Sequence, residues 1–395
     1  MTAVRADSPT GPLENVLKID RALTEIERDI DLLLNITPVN SAEAWSDFAK
    51  SGFSRVPTLQ SRPVNFEPAL VQRRLFNLEI EDVEDPSLAV ILTQKRDELN
   101  RQVMLLEDRD TSRFLYGSLQ LFGEVGSDLV DTAEELLSTV EVAISEDVRV
   151  TATAFAKRAE DELNLYRDRY PNLAAELEIR SDVPDLMVSH GRLLIGAEAS
   201  FRKGRVEALI QHEVGTHVVT YENGSHQPLK LLAVGLPDYE ETQEGLAVLA
   251  EFISGGLDSQ RLRLLAGRVV AVNLLLEGAE FLDIFETLRG RHGFPPKVAW
   301  SVTIRVARSG GLTKDVIYLR GIARLLEFAS QRKRLDPLFL GKMSLDHVPL
   351  IEELLGRSVL HPAMITPRWL DLPRAAERLE RVYEGMDVLE LIKPQ

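Results

Sequence analysis

Gln211-His212-Glu213-Val214-Gly215-Thr216-His217 is the stretch on which the reading of this chain turns. Two histidines with a glutamate directly after the first, on a predicted helix, are the parts of a hydrolytic zinc site. The imidazoles bind the metal and the carboxylate takes a proton from metal-bound water. The familiar spacing is H-E-x-x-H, with the histidines about one helical turn apart; here there is one residue more. At about 100° per residue, four steps leave the rings roughly 40° apart and five leave them roughly 140° apart. An undistorted α-helix therefore cannot aim both rings at one ion. One wide turn, a π-bulge, absorbs the extra residue, and such bulges recur at functional sites. Gly215 lies inside the motif, where the backbone adjusts most easily.

The flanking segment Ser200 to Val219 carries Val206, Leu209, Ile210, Val214 and Val218 and is expected to form a core helix with or without metal. Ionisable groups on such a face need partners, which favours a metal. A catalytic zinc site takes three protein ligands and leaves a position for water or substrate. The chain has no cysteine, so the third ligand must be a carboxylate or another histidine. After a predicted polar loop, Thr220 to Pro237 with His226, an acidic helix start offers Glu240, Glu241, Glu244 and Glu251. Glu244 and Glu251 are two turns apart and share a face with Ala247 and Val248, whereas Glu240 and Glu241 can favour a helix N-terminus from solvent. Glu244 is the expected ligand and Glu251 a partner that orients a histidine.

The 395 residues can bury a large core, and 44% hydrophobic with 27% charged residues is ordinary for a globular protein. The formal charge of −16 disfavours nucleic acid and anionic membrane surfaces as partners. No run approaches the roughly 18 apolar residues of a membrane span, and Met1 to Leu13 reads as a disordered polar lead-in without a signal-peptide core. A cytoplasmic protein is expected, of undetermined oligomeric state.

Upstream, Asn15 is expected to cap an amphipathic helix through Val16, Ile19, Leu23, Ile26, Ile30 and Leu33. Ser41 to Val83 reads as irregular. Asp85-Pro86 opens a helix, and further helices are expected over Thr111 to Phe122, Ser127 to Val142 and Thr151 to Arg169. The period then changes. Glu176 to Arg180 alternates, and Asp185 to Ser189 and Arg192 to Gly196 flank the turn residues His190-Gly191, a predicted hairpin. An edge strand beside the motif helix could take an extended peptide by strand addition. The remainder reads as helices interrupted by Gly255-Gly256, by 292–296 and by Gly310-Gly311, with short proline-separated helices after Gln331.

His-Glu-Val-Gly-Thr-His at 212–217 followed by Thr-Gln-Glu-Gly-Leu-Ala at 242–247 resembles the tyrosine carboxypeptidase family. That family includes the microtubule-associated tyrosine carboxypeptidases and the bacterial proteins labelled as flavohaemoglobin-expression-modulating with a QEGLA motif. The resemblance takes in Arg192 to Gly196 and Leu312 to Gly321 and extends over much of the chain. It implies a zinc metallopeptidase that removes a C-terminal residue, with aromatic preference, His212, His217 and Glu244 as ligands of one zinc ion and Glu213 as general base. Tubulin as substrate does not follow from it.

Such an enzyme must recognise a free carboxylate, so a cation or helix N-terminus should stand near the metal. Gly310 to Lys314 offers a flexible loop, a capping threonine and a lysine in the first turn. Tyr318, one turn on, could donate to the oxyanion; Arg320 is a further candidate that could equally form a structural ion pair. His226 and His292 are other oxyanion candidates, each also readable as a loop residue. The expected fold is α+β, mostly α, a zincin-like metallopeptidase with a small antiparallel sheet beside the motif helix. Its organisation is an N-terminal extension and helix (1–40), a helical region (41–175), a catalytic core (176–330) and a C-terminal helical region (331–395), with 41–395 as one compact unit. The second reading is a non-catalytic regulatory protein that retains a structural or sensing metal site; an endopeptidase is a third.

Overall fold

The computed structural model describes residues 12–141, 148–183, 185–332 and 334–392. The chain is mostly helical with a small amount of sheet. Most of the lead-in lies outside the described residues, but Pro12 and Leu13 open the first helix, Pro12–Ile30. Asn15 is thus inside that helix, not its cap. Its apolar stripe, Val16, Ile19, Leu23, Ile26 and Ile30, is fully buried. Asp85 does cap the helix Pro86–Glu107, its Oδ1 accepting from the Ser87 and Leu88 amides at 3.1 and 3.2 Å. Thr151 caps Ala152–Arg169. The end of the helix predicted to reach Val142 lies outside the described residues; the helix is seen from Ser127 to Thr139.

Between Ser41 and Val83 only the middle is irregular. Ser41–Lys50 and Pro68–Phe76 are helices: Trp45 and Phe48 of the first pack into an aromatic group with Phe53, Phe281, Phe285 and Trp300, and Val71 and Leu75 of the second are buried in the core. Distant partners, not local pattern, make that segment helical.

The strands are β1 (Arg149–Thr151), β2 (Glu176–Arg180), β3 (Leu186–Ser189), β4 (Arg192–Gly196) and β5 (Ser200–Arg202). The β3–β4 hairpin is antiparallel, with Ser189 opposite Arg192, and turns through His190 and Gly191 at φ 50 and 77, the pair of positive φ values that a two-residue hairpin needs. The sheet is mixed, however, not antiparallel throughout: β2 pairs parallel with β4 and the order is β2-β4-β3. The segment after β2 passes round the end of β4, held by Gly196 N to Asp185 O at 2.7 Å and Ala197 N to Arg180 O at 2.8 Å. β4 therefore enters between two strands already laid down, and β3 is left as an edge. β1 and β5 form a separate antiparallel pair, so Ser200 to Arg202 is strand and the motif helix begins only at Val206.

Two apolar clusters meet at this helix. Ile210, Val214, Val218 and Val219 pack with β4 and with Phe155, Leu163 and Tyr166 of helix Ala152–Arg169. The larger cluster holds the helices Tyr239–Ile253, Ser259–Leu276, Pro296–Ala307 and Ile317–Arg332. Among the described residues no helix is long and apolar enough to cross a membrane.

Candidate metal centre

The motif helix is α-helical over Val206–His212, π-helical over Glu213–Val218 and α-helical again over Val219–Ser225. The wide turn falls where the five-residue spacing requires it. Gly215 has a further reason to lack a side chain: a Cβ there would stand 2.6 Å from Gln211 Oε1 and 3.0 Å from the Trp369 ring. The two imidazoles are brought to 5.0 Å between centroids at 80° to one another. The segment read as a polar loop after His217 is largely helical, since Leu231–Val234 forms another short helix. Its polar residues are buried and satisfied from afar: Asn223 Nδ2 donates to the carbonyls of Phe339 and Ile365 at 2.7 and 2.8 Å.

Glu244 comes from the helix Tyr239–Ile253. That helix crosses Ile317–Arg332 at two glycines. A Cβ on Gly245 would lie 2.5 Å from the Gly321 carbonyl, and one on Gly321 would lie 2.2 Å from the Glu241 carbonyl oxygen. Only paired glycines permit so close an approach. Gln243 accepts from Thr220 Oγ1 of the motif helix at 2.8 Å, fixing the two helices to one another beside the histidines.

Glu244 Oε2 stands 3.6 Å from His212 Nε2 and 3.9 Å from His217 Nε2, and the three ligand atoms lie within 4.8 Å of one another. These separations are too long for hydrogen bonds, and Glu244 Oε2 is buried without any hydrogen-bond partner. They suit a shared cation instead, because bonds of about 2.1 Å in a tetrahedral site set donor atoms roughly 3.4 Å apart. A buried carboxylate oxygen facing two imidazole nitrogens with nothing to bind is the arrangement a zinc ion would complete. The other nitrogen of His212, Nδ1, meets Glu251 Oε1 at 2.8 Å. Glu251 is fully buried and is itself held by Arg205 and by Arg261 at 3.2 Å. With a metal ion bound, Nδ1–H donated to Glu251 would leave the Nε2 lone pair for the ion.

Glu213 stands beside this group, its Oε1 3.9 Å from His212 Nε2. Burial raises its carboxyl to about 7; the His212 charge opposes that, and the charges of Glu244 and Asp185 add to it. Burial also resists ionisation of Glu244, but His212, His217 and Lys314 overcome it and hold that carboxyl well below the usual range.

Among the residues expected to meet substrate, Lys314 is buried and its Nζ lies 2.8 Å from Glu240, so its charge is already neutralised. Thr313 makes no side-chain cap; its hydroxyl pairs with Ser118 Oγ at 3.0 Å. Arg320 pairs with Glu241 and donates to the carbonyls of Glu124 and Phe122 at 2.9 and 2.6 Å, a tie between helices. The guanidinium carbons of Arg268 and Arg261 lie 4.5 and 6.0 Å from the Tyr318 ring centroid, and Arg261 in turn holds Glu251. His226 Nδ1 contacts the Glu222 carbonyl at 2.7 Å, and His292 Nε2 faces Glu134 of helix Ser127–Thr139 at 3.9 Å; neither is in the ligand group. Sequence reasoning passed over Arg205, Arg261 and Asp185. Arg261, Arg263 and Arg268, three arginines in a largely apolar helix, were the available signal.

No solved structure gives a significant match to the chain. Among curated proteins, it is 28% identical over 194 residues to the human microtubule-associated tyrosine carboxypeptidase 1, covering 45% of this chain and 38% of that protein. It is also 28% identical over 200 residues to the mouse putative tyrosine carboxypeptidase MATCAP2, covering 46% of this chain and 36% of that protein. The chain thus matches less than half the length of these relatives. The model of the microtubule-associated tyrosine carboxypeptidase family matches residues 46–387, and the chain belongs to that family.

Proposed function

We propose that the chain is a zinc-dependent carboxypeptidase of zincin-like architecture that removes an aromatic residue from a peptide or protein C-terminus. The observation that carries this reading is the convergence of His212 Nε2, His217 Nε2 and an unpartnered Glu244 Oε2 across a π turn. His212, His217 and Glu244 would hold the metal. When bound, zinc supplies a Lewis acid for the scissile carbonyl and makes a water acidic enough to attack near neutral pH.

The remaining work falls to the protein's own groups. Glu213 takes the proton from the attacking water and returns it to the leaving amine. Glu251 keeps the His212 ring oriented, and Arg205 and Arg261 keep Glu251 ionised. β3, an edge strand packed against the π turn, offers main-chain groups to an extended substrate. The names of the relatives, which give tyrosine as the residue removed, support the aromatic preference.

The test is metal analysis combined with hydrolysis of peptides that differ only in their last residue, each as free acid and as amide. Glu213→Gln is expected to retain one zinc per chain and lose cleavage. Cleavage of amidated peptides would indicate an endopeptidase. A zinc-loaded protein that cleaves none of the peptides would point to the regulatory reading.

A further inference from the structure

A second concentration of charge borders the metal-ligand group. Arg268 on helix Ser259–Leu276 and Arg305 on helix Pro296–Ala307 both face one buried carboxylate, Asp315. Arg305 takes both of its oxygens, at 2.6 and 2.7 Å. Arg268 is left with Nε 3.6 Å from Asp315 Oδ2, outside hydrogen-bond range. Arg268 is only 9% exposed, and its Nε and Nη1 are buried with no partner. Its guanidinium lies instead 4.5 Å from the centroid of the Tyr318 ring. A cation–π contact offsets only part of what burying a charge costs.

The location matters as much as the imbalance. The Tyr318 ring also lies 6.0 Å from the guanidinium carbon of Arg261, which holds Glu251 behind the His212 ring. Two arginines thus share one carboxylate. Arg305 keeps 31% of its side chain open, so the set presents an accessible cationic edge. Lys314 offers no such edge, being occupied by Glu240.

We propose that Arg305, Arg268 and the Tyr318 hydroxyl form the seat for the α-carboxylate of the substrate's C-terminal residue. Arg305 presents the accessible edge and Arg268 supplies the charge that Asp315 leaves unneutralised. This rests on the carboxypeptidase reading. A carboxylate is planar, singly charged and bears two acceptor oxygens, which is the geometry a guanidinium fork reads.

The test is equilibrium binding, not turnover, in the full-length, zinc-loaded Glu213→Gln protein. The probes are a short peptide ending in tyrosine as the free acid and the same peptide amidated, each followed by fluorescence anisotropy. The free acid is expected to bind about 100-fold more tightly than the amide, the range of charge-assisted hydrogen bonds. Arg268→Gln should remove most of that preference while leaving the amide's affinity unchanged. Without peptide, its unfolding temperature should be equal to or above the parent's, because an unneutralised buried charge has gone. Arg268→Met, which keeps the packing of the stem on Tyr318, repeats the test should the glutamine variant fold poorly.

A preference for the free acid that survives both substitutions overturns the seat, as does an equal loss of affinity for acid and amide. Hydrolysis by the protein with Glu213 intact is scored separately. Cleavage with no Arg268 effect removes the seat and leaves the peptidase. Arg268-dependent, carboxylate-selective binding without cleavage removes the peptidase and leaves the seat.

Discussion

Alanine at Gly321, a residue on a helix that carries no metal ligand, is expected to weaken zinc binding. A Cβ there would stand 2.2 Å from the Glu241 carbonyl oxygen, 3.1 Å from its carbon and 3.2 Å from Gly245 N. Carbon–oxygen contacts between helices relax to about 3.3 Å, so the two helices must part by about 1 Å. Inserting a methyl into such an interior costs about 1–3 kcal/mol. Glu241 and Gly245 bracket Glu244, so the displaced segment carries its carboxylate away from His212 and His217, which sit on a different helix. Metal–ligand distances tolerate only about 0.2 Å. A withdrawal of that size should reduce zinc affinity by about 10–100-fold, the usual range for a disturbed supporting contact. The assay is competition against a chromophoric chelator, with thermal unfolding recorded with and without zinc. Gly356→Ala is the control, because a Cβ there meets nothing within 4 Å. A Gly321→Ala protein that is destabilised yet binds zinc as tightly as the parent would sink the reasoning, since Glu244 could then not be a ligand held by helix spacing.

Three further outcomes are expected. Glu251→Gln should lower zinc affinity by about 10–100-fold and destabilise the fold, because Arg205 and Arg261 lose their buried counter-charge; unchanged chelator competition would show that His212 needs no orienting partner. Removing zinc with a chelator should lower the unfolding temperature, since a ligand held at a thousand times its Kd stabilises by about 4 kcal/mol, and an identical melt would argue against a site in the folded state. Asp20 is buried at the Lys230 and Leu231 amides, and burial pushes its carboxyl up from 3.8 to about 6 despite those amides. The folded state therefore holds this proton more tightly than the unfolded chain does. Its stabilising contribution is complete below about pH 4 and is lost as the pH rises through about 6, a change of order 3 kcal/mol. Denaturant unfolding across that window should show a shallower pH slope in Asp20→Asn than in the parent, and equal slopes would contradict it.

What the sequence by itself determined was local in origin. Two histidines five positions apart demand a π turn because of the angle each helical residue subtends, and the turn is there. Asp85-Pro86 and His190-Gly191 act through the φ values and amide donors of adjacent residues, so they too were legible. The placing of Glu244 and Glu251 on one inward face followed from helical period alone. What the tertiary structure decided depends on residues far apart in the chain. β2 joined β4 in parallel because a loop passed round the end of a strand not yet formed. Thr220 to Pro237 became largely helical and buried because Asn223 found the carbonyls of Phe339 and Ile365. Lys314 was engaged because Glu240 lay across from it, and Arg268 was left without a full partner because Arg305 took both oxygens of Asp315. Charges carry no periodicity that names their partners; which ones neutralise each other, and which remain for a ligand, is settled only when distant helices meet.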